Sequence, residues 1–429
     1  MSMKSSDVVV GVDIGSSKIA VVIGRMEDET INVLGVSEVP SKGIKKGQIV
    51  NIDEAAGVIN AALDSAERMA GLSAERAFVS ISGVNIEGEN SKGVVAVSQP
   101  GGEISEYDVE RVLEAAGAVS LPSTREIIHV VPKTFTVDGE GGIKDPVGMS
   151  GVRLEVDTHI ITANNATIKN IERILTQEAG VEVQALVFSG LASSLATLSD
   201  TEKELGVILA DIGAGVTNLA VYVDGSLSYT SVIPIGARHI TNDLAIGLRI
   251  SLESAEKVKI YLSEQKRKSR DLTKAKEEDE LDLEHLHIPE DVRKVSRKTL
   301  TEGIIRPRLN ELFTMIAIEI KKSGFATQTP AGIVVTGGGA KTIGIEDAAK
   351  RMLSMPVRIG YPTNIVGLID DVETPTFSTA IGLMRSSENY KVMEPSFSMG
   401  NIFDNFNFNF GGKDMGKKIK KLISKFIPL

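Results

Sequence analysis

The chain has no cysteine and no tryptophan among its 429 residues. Without cysteine there is no disulfide, no thiolate metal centre and no cysteine nucleophile, and the composition fits a reducing compartment. Its five histidines show no metal-ligand spacing, and His285 and His287 fall in a charged stretch where solvation is the plain reading. No run of 18 apolar residues occurs; the most apolar stretches, such as 206–210, are interrupted by Asp within a few residues. A membrane-spanning helix is therefore not expected. The opening MSMKSSDVVVGVD has no long apolar segment before a cleavage-like site, so no signal peptide is expected. Neither GxGxxG nor GxxxxGK[ST] is present, which removes the Rossmann and Walker loops. The net charge of −10 argues against a chain-wide surface for polyanions, nucleic acid included.

What is present is an ordinary globular composition, 42% hydrophobic and 24% charged, with 41 glycines. The length suggests about two to four domains. The charge is uneven. Residues 413–429 hold six Lys and one Asp, a net +5, so the rest of the chain carries −15.

Residues 8–13 form a short β-branched run ending in a turn at 14–17, and 18–25 is its hairpin partner. A strand over 31–39 and a Gly- and Lys-rich loop over 42–47 follow. The spacing of Ala55, Val58, Ile59, Ala62 and Ala66 predicts a helix over 53–71, and 77–82 reads as a strand. From residue 84 the texture changes. Short strands (93–98, 126–131, 152–162) surround one helix over 106–118, with Ser105 and Asp108 placed as a capping box. This predicts a small α+β module inserted in a first lobe, and a helix near 166–180 returns to that lobe.

At 206–211 the opening pattern recurs: strand, turn at 212–216, strand over 217–223, an Asp224-Gly225 hairpin turn and a strand over 227–234. Residues 237–325 read as helical, with a solvated, charge-rich insertion at 264–290. A buried strand at 333–336 runs into Gly337-Gly338-Gly339, and 345–353 is helical. The whole is an α/β class with duplicated lobes. The first lobe takes 1–83 and 163–198, and the insert 84–162. The second lobe takes 199–236 and 307–385, with 237–306 as its subdomain closing over a ligand. Residues 386–412 are low-complexity linker and 413–429 a terminal helix.

GVDIGSSKIAVVI and ADIGAGVTNLAVY share one frame, and their aspartates, Asp13 and Asp211, are 198 positions apart. A lone Asp-Ile-Gly is an ordinary hairpin turn. Two copies with a third glycine turn point to a shared ligand. Small residues expose successive N–H groups, which form an anion-binding concavity. Two such turns facing each other hold a polyphosphate from both sides. The expected phosphate ligands are Gly15, Ser16, Ser17 and Lys18, then Gly213, Ala214, Gly215 and Thr217. Asp13 and Asp211, at strand ends, are expected to hold Mg²⁺ largely through water. Gly337, Gly338, Gly339 and Ala340 let backbone approach a base or ribose closely. Glu256 and Lys259 share a helix face and are expected to reach ribose and base, a surface ion pair being the plainer alternative. The expected ligand is ATP with Mg²⁺.

At the C-terminus, Ile419, Leu422, Ile423, Phe426 and Ile427 fall at i, i+3, i+4, i+7 and i+8. Lys417, Lys418, Lys420, Lys421 and Lys425 take the other side and its edges, and Pro428 ends the run. That pattern predicts a helix lying on an anionic membrane surface. Docking on the chain's own core is the alternative, and the long linker favours reach.

A first hairpin turn, a second one and a glycine loop, in that order, resemble the actin superfamily of ATPases. The segments KGIKKGQIVNID (42–53), DPVGMSGVRLEVDTHIITA (145–163), ADIGAGVTNL (210–219), RPRLNELF (306–313) and VVTGGGA (334–340), with the basic tail, resemble the FtsA family of bacterial cell-division proteins. The resemblance implies an actin-like two-lobed fold of duplicated ribonuclease-H-like lobes and a C-terminal amphipathic helix. The inserted α+β subdomain replaces actin's usual small subdomain and sits elsewhere on the body. It implies a protein that self-associates into filaments and tethers the tubulin-like FtsZ, by the FtsZ C-terminal peptide, to the cytoplasmic face of the inner membrane at the division site. Other division proteins would bind the insert. By position, Arg308 and Glu311 become candidate FtsZ contacts. Hydrolytic relatives place an acid or amide near the helix after the interlobe strand. ALVFSGLASSLATL (185–198) has none and no His, so at most weak hydrolysis is expected.

Other actin-fold functions fit less well. A soluble kinase needs an Asp base beyond Asp13 and Asp211. A chaperone needs a peptide-binding domain where about 40 residues follow the last core helix. A PilM-like assembly protein shares the fold and does not account for the basic terminal helix.

Overall fold

The computed structural model describes residues 8–27, 29–98, 102–269, 279–290, 292 and 294–391. The predicted terminal helix, most of the predicted linker and 270–278 of the charged stretch lie outside the described residues.

The first lobe begins as an antiparallel meander of β1 (Val8–Ile14), β2 (Lys18–Glu27) and β3 (Thr30–Pro40), in which Asp13 stands opposite Ala20. The predicted loop over 42–47 is instead a hairpin, β4 (Ile44–Lys45) and β5 (Gln48–Ile49). Lys46 and Gly47 turn it at φ 50° and 75°, the paired positive values that a two-residue hairpin needs. Then α1 (Ile52–Ala70) starts at the Asn51 cap and ends at left-handed Gly71. Ala55, Ile59, Ala62 and Ala66 are buried as the spacing predicts, while Val58 is half-buried. β6 (Arg76–Ile81) lies parallel to β1.

The insert comprises β7 (Glu87–Ala96), α2 (Glu106–Gly117), β8 (Arg125–Val137), β9 (Glu140–Ile143) and β10 (Arg153–Asn164). Its sheet runs β7-β10-β8-β9. Ser105 and Asp108 make the predicted capping box of α2. Ile104, Val112, Leu154 and Ile160 give the insert its own core. The chain returns through α3 (Asn165–Arg173) to β11 (Glu182–Phe188), beside β6, and continues into α4 (Ser189–Thr197) and α5 (Asp200–Leu205).

The second lobe repeats the plan. β12 (Val207–Ile212), β13 (Thr217–Val223) and β14 (Ser226–Ile233) form the meander, with Asp211 opposite Asn218. α6 (Arg238–Leu248) and α7 (Leu252–Ser269) follow. The stretch read as helical around a charge-rich insertion then holds a small two-stranded sheet, β15 (Glu280–Asp282) with β16 (Lys294–Ser296). Each strand carries one apolar residue, Leu281 or Val295, between polar ones, too short a pattern to show against the charge. α8 (Arg306–Ser323), β17 (Ile333–Thr336), α9 (Ile345–Leu353) and β18 (Val357–Ile359) complete the lobe. Its order β14-β13-β12-β17-β18 matches β3-β2-β1-β6-β11 of the first.

The chain then leaves this lobe. β19 (Ile365–Gly367) pairs with β3, and after α10 (Ile369–Val372), α11 (Ser378–Lys391) packs Ala380, Ile381, Leu383 and Met384 into the first-lobe core. Gly382 sits so close to α4 that a Cβ there would lie 1.7 Å from Ala192 O. Residues 365–391 thus belong to the first lobe rather than the second, and the helix passes the predicted linker start at 386. Apolar spacing marks a buried face without saying which sheet it covers.

Two buried histidines stand where the insert joins the lobes. His159 Nδ1 is 2.7 Å from Asn90 Oδ1, and its Nε2 is 2.9 Å from Thr230 Oγ1 on β14. His129 Nε2 accepts the Phe188 N–H at 3.0 Å. Burial holds both at about 3, below the ordinary 6.5, and the Lys133 charge adds to the effect at His159. The unfolded chain therefore binds more protons between those values. Their contribution is complete above pH 6.5 and is lost as pH falls toward 3. At pH 5 each should cost about 2 kcal/mol. Melting temperature should fall between pH 7 and 5, and less steeply in His159→Gln. A wild-type profile flat over that range would contradict the account.

Candidate functional site

β1 and β12 end in the same turn. Gly15 N donates to Lys18 O, and Gly213 N to Val216 O, each at 3.0 Å. A Cβ on Gly15 would stand 2.7 Å from Lys18 O, which is why the turn takes glycine. The two turns face each other across a cleft of about 610 Å³. Asp13, Gly15, Ser16, Ser17 and Lys18 line it from the first lobe, and Asp211, Gly213, Ala214 and Gly215 from the second. Glu256 and Lys259 on α7, with Gly337, Gly338 and Gly339 after β17, close it.

Two predicted ligands do not line the cleft. Thr217 occupies the register of Ile19 and faces inward, fully buried, its Oγ1 donating to Ile235 O at 2.8 Å. Ala340 packs into the second-lobe core. Lys18 lines the cleft but is already paired: its Nζ donates to Glu38 Oε2 at 2.6 Å and lies 4.1 Å from the Phe377 ring centre. Burial lowers its pKa, against the pull of Glu38. Lys259 Nζ donates to Glu256 Oε2 and to Thr241 Oγ1, each at 2.8 Å. The predicted pair is thus a bonded unit of the cleft wall.

The two aspartates hold the floor. Asp13 Oδ1 accepts from Ser80 Oγ at 2.8 Å, and that Oγ accepts the Ile14 N–H at 2.8 Å. Asp211 Oδ2 accepts from Asn218 Nδ2 at 3.1 Å. Burial raises Asp13, opposed by Ser80 and Lys18. Burial, and then the charge of Asp13, pushes Asp211 up to about 7. Two buried carboxylates, one of them raised further by the charge of the other, are what a divalent cation relieves. Among the described residues no group of three or more His, Asp or Glu could enclose an ion. The donor set therefore fits a cation that keeps its waters, as Mg²⁺ does.

The three glycines divide their work. Gly337 has φ 81°, and a Cβ on it would be 2.3 Å from Asp211 Oδ1. Gly339 would press on Ile212, at 2.4 Å. Gly338 alone is open toward the cleft.

Several participants were not singled out from the sequence. Ser82 Oγ donates to Asn218 Oδ1 at 2.6 Å, joining the lobes. Asn218 is therefore an amide in the cleft, contributed by β13 rather than by 185–198. Its signal was in the repeat, where Ala20 stands in the first copy. Gly47 N donates to Ser16 Oγ at 2.8 Å, and a Cβ on Gly215 would lie 3.0 Å from Lys46 Cα, so the hairpin tip touches both turns. Gly236 lets Ala237 N and Arg238 N reach Gly213 O and Ala214 O, each at 2.9 Å.

Arg308 and Glu311 lie elsewhere, on α8. Arg308 grips Asp243 of α6 with two bonds, Nε to Oδ2 at 2.5 Å and Nη2 to Oδ1 at 2.9 Å, and also binds Glu311. A groove of about 830 Å³ beside them is lined by Arg297, Lys298, Arg306 and Arg351, with Asp279, Glu302 and Asp347.

Two lobes of one plan, meeting at paired hairpin turns over a cleft, define the actin-like class. PilM–PilN, a type IV pilus biogenesis complex, has a chain matching with TM-score 0.62 at 17% identity, covering 88% of this chain and 97% of its own. MreB5 of Spiroplasma citri bound to ADP matches with TM-score 0.52 at 12% identity, over 90% of this chain and 98% of its own. Residues 83–162 match the family described as "SHS2 domain inserted in FTSA", and 208–382 that described as "Cell division protein FtsA". Cell division protein FtsA of Pseudomonas aeruginosa is 39% identical over 384 residues, covering 89% of this chain and 90% of its own length. That of Bacillus subtilis is 39% identical over 383 residues, 89% of this chain and 84% of its own. The chain belongs to the FtsA family of cell division proteins.

Proposed function

We infer that the chain binds ATP with Mg²⁺ in the interlobe cleft and works as an actin-like adaptor of cell division. Nucleotide-bound copies associate into filaments. Residues 413–429 lie on the anionic cytoplasmic face of the inner membrane at the division site. The C-terminal peptide of FtsZ docks at α8, around Arg308 and Glu311, and other division proteins bind the insert. The observation that carries the reading is the facing pair of turns with Asp13 and Asp211 beneath them.

In this reading the N–H groups of Ser16 and Ser17 and of Ala214 and Gly215 point at phosphate oxygens. Gly338 gives the nucleoside access to backbone, beside Glu256 and Lys259. Mg²⁺, when bound, supplies positive charge against the phosphates and the aspartate pair. Asn218 is committed at both ends, to Ser82 and Asp211, which supports at most weak hydrolysis. A PilM-like assembly role shares the fold, and the basic tail weighs against it.

Calorimetry on the full chain tests the core of the reading. One ATP per chain should bind with Mg²⁺, more weakly in chelator, with little phosphate released. A chain that takes up no ATP, or that turns it over briskly, would overturn the proposal.

A further inference from the structure

Two polar side chains in the cleft wall remain unused. Thr376, in the short turn Pro375–Phe377, has a buried Oγ1 with no hydrogen-bond partner. Lys341 ends the turn Gly338–Lys341 and also lines the cleft. Among the described residues Lys341 has no hydrogen-bond or ion-pair partner.

The two are brought together by the backbone. Gly337 N donates to Pro375 O at 3.1 Å, tying one turn to the other. A Cβ on Gly338 would meet only Thr376 Cγ2, at 4.0 Å, so Thr376 borders the open space over that glycine. The next residue, Phe377, carries Lys18 over its ring, and the charge of Lys341 acts against that of Lys18. Two like charges and an unpaired hydroxyl thus surround one space. A buried hydroxyl is normally bonded, and one that is not calls for an explanation.

We propose that Thr376, Lys341 and the backbone at Gly338 form a third phosphate subsite, additional to the two hairpin turns, that holds an oxyanion of the nucleotide's phosphate chain. The proposal rests on the nucleotide reading of the cleft. A rotation of about 120° about χ1 carries Thr376 Oγ1 into the position now held by Cγ2. That turns the hydroxyl toward Gly338, and it has no existing bond to break. Lys341 meets the phosphate as a flexible point charge. Thr376 leads into α11 of the first lobe, whereas Lys341 follows β17 of the second. An occupant would therefore clip the lobes together on a third side, independently of the Ser82–Asn218 bond.

The test is calorimetry on the full chain with ATP and with ADP at fixed Mg²⁺. Lys341→Gln should weaken both by about tenfold or more, and Thr376→Val by about fivefold. Thr376→Ser should bind as wild type. Thr376→Val also removes an unpaired buried hydroxyl, so the nucleotide-free variant should melt at or above the wild-type temperature while its rise on adding ATP shrinks. A damaged fold would lower both. Affinities within about twofold of wild type in both variants would overturn the subsite and leave the nucleotide reading intact. A wild-type chain with no ATP uptake would instead remove the reading beneath it.

Discussion

Gly337→Ala should abolish nucleotide binding and lower folding stability by about 2–4 kcal/mol. Two independent strains add there. The backbone sits at φ 81°, where an L side chain is disfavoured. The new methyl would also stand 2.3 Å from Asp211 Oδ1 and 2.7 Å from Ile212 O. Neither neighbour moves freely: Ile212 is fully buried in the second lobe's core, and Asp211 is held by Asn218. Relief must come from displacing β12 or the glycine turn, and either movement separates elements that should hold the nucleotide together. Gly338→Ala is the control. Its Cβ would meet nothing nearer than Thr376 Cγ2 at 4.0 Å, so it should fold as wild type and disturb only ligand binding. Urea midpoints and ATP titrations of both variants check this. A Gly337→Ala chain matching wild type in both would show that the turn does not sit against Asp211.

The contrast between these neighbouring glycines shows what the sequence could convey. Three glycines after a buried strand announce a close approach, and Gly337 and Gly339 lie against Asp211 and Ile212. Which glycine touches the ligand space and which touches protein depends on Asp211, 126 positions earlier, and only folding brings them together. The paired Asp-Ile-Gly turns were legible because the duplication repeats their local hydrogen bond, Gly15 to Lys18 and Gly213 to Val216. Thr217 was misplaced for a related reason. The two motifs differ in which residue leaves the turn, and the strand register that puts Thr217 with Ile19 is a pairing property. Lys18 reads as a free donor because its partner, Glu38, is 20 residues on and reaches it only through the pairing of β2 with β3. The hairpin at Lys46 and Gly47 is hidden inside a Gly- and Lys-rich segment that reads as a loop. The return of 365–391 to the first lobe could not be read from helical spacing, since both lobes offer an apolar sheet face.

Deleting residues 416–429 should lower the ratio of vesicle-bound to free protein by at least about tenfold on anionic liposomes. These residues lie outside the described structure, so the expectation comes from their pattern. Ile419, Leu422, Ile423, Phe426 and Ile427 share one stripe. Full burial would be worth about 1.5–3 kcal/mol for each such side chain. A helix in the headgroup region buries them only in part, and ordering its backbone costs about 1–2 kcal/mol per residue. Lys417, Lys418, Lys420, Lys421 and Lys425 each add about 1 kcal/mol near an anionic surface. These opposing terms leave one copy reversibly bound, while a filament multiplies attachment through linked copies. Phe426→Glu should come close to the deletion, because it sets a carboxylate within the apolar stripe and subtracts from the basic charge at once. Added salt should weaken the full chain's binding as the lysines are screened, and neutral lipid should hold it poorly. If the shortened chain sedimented with anionic vesicles as well as the full one, the attachment would have to come from the folded body. The insert would then be the place to look, since Val152 is 73% exposed on it and Val147 and Met149 lie close by in sequence.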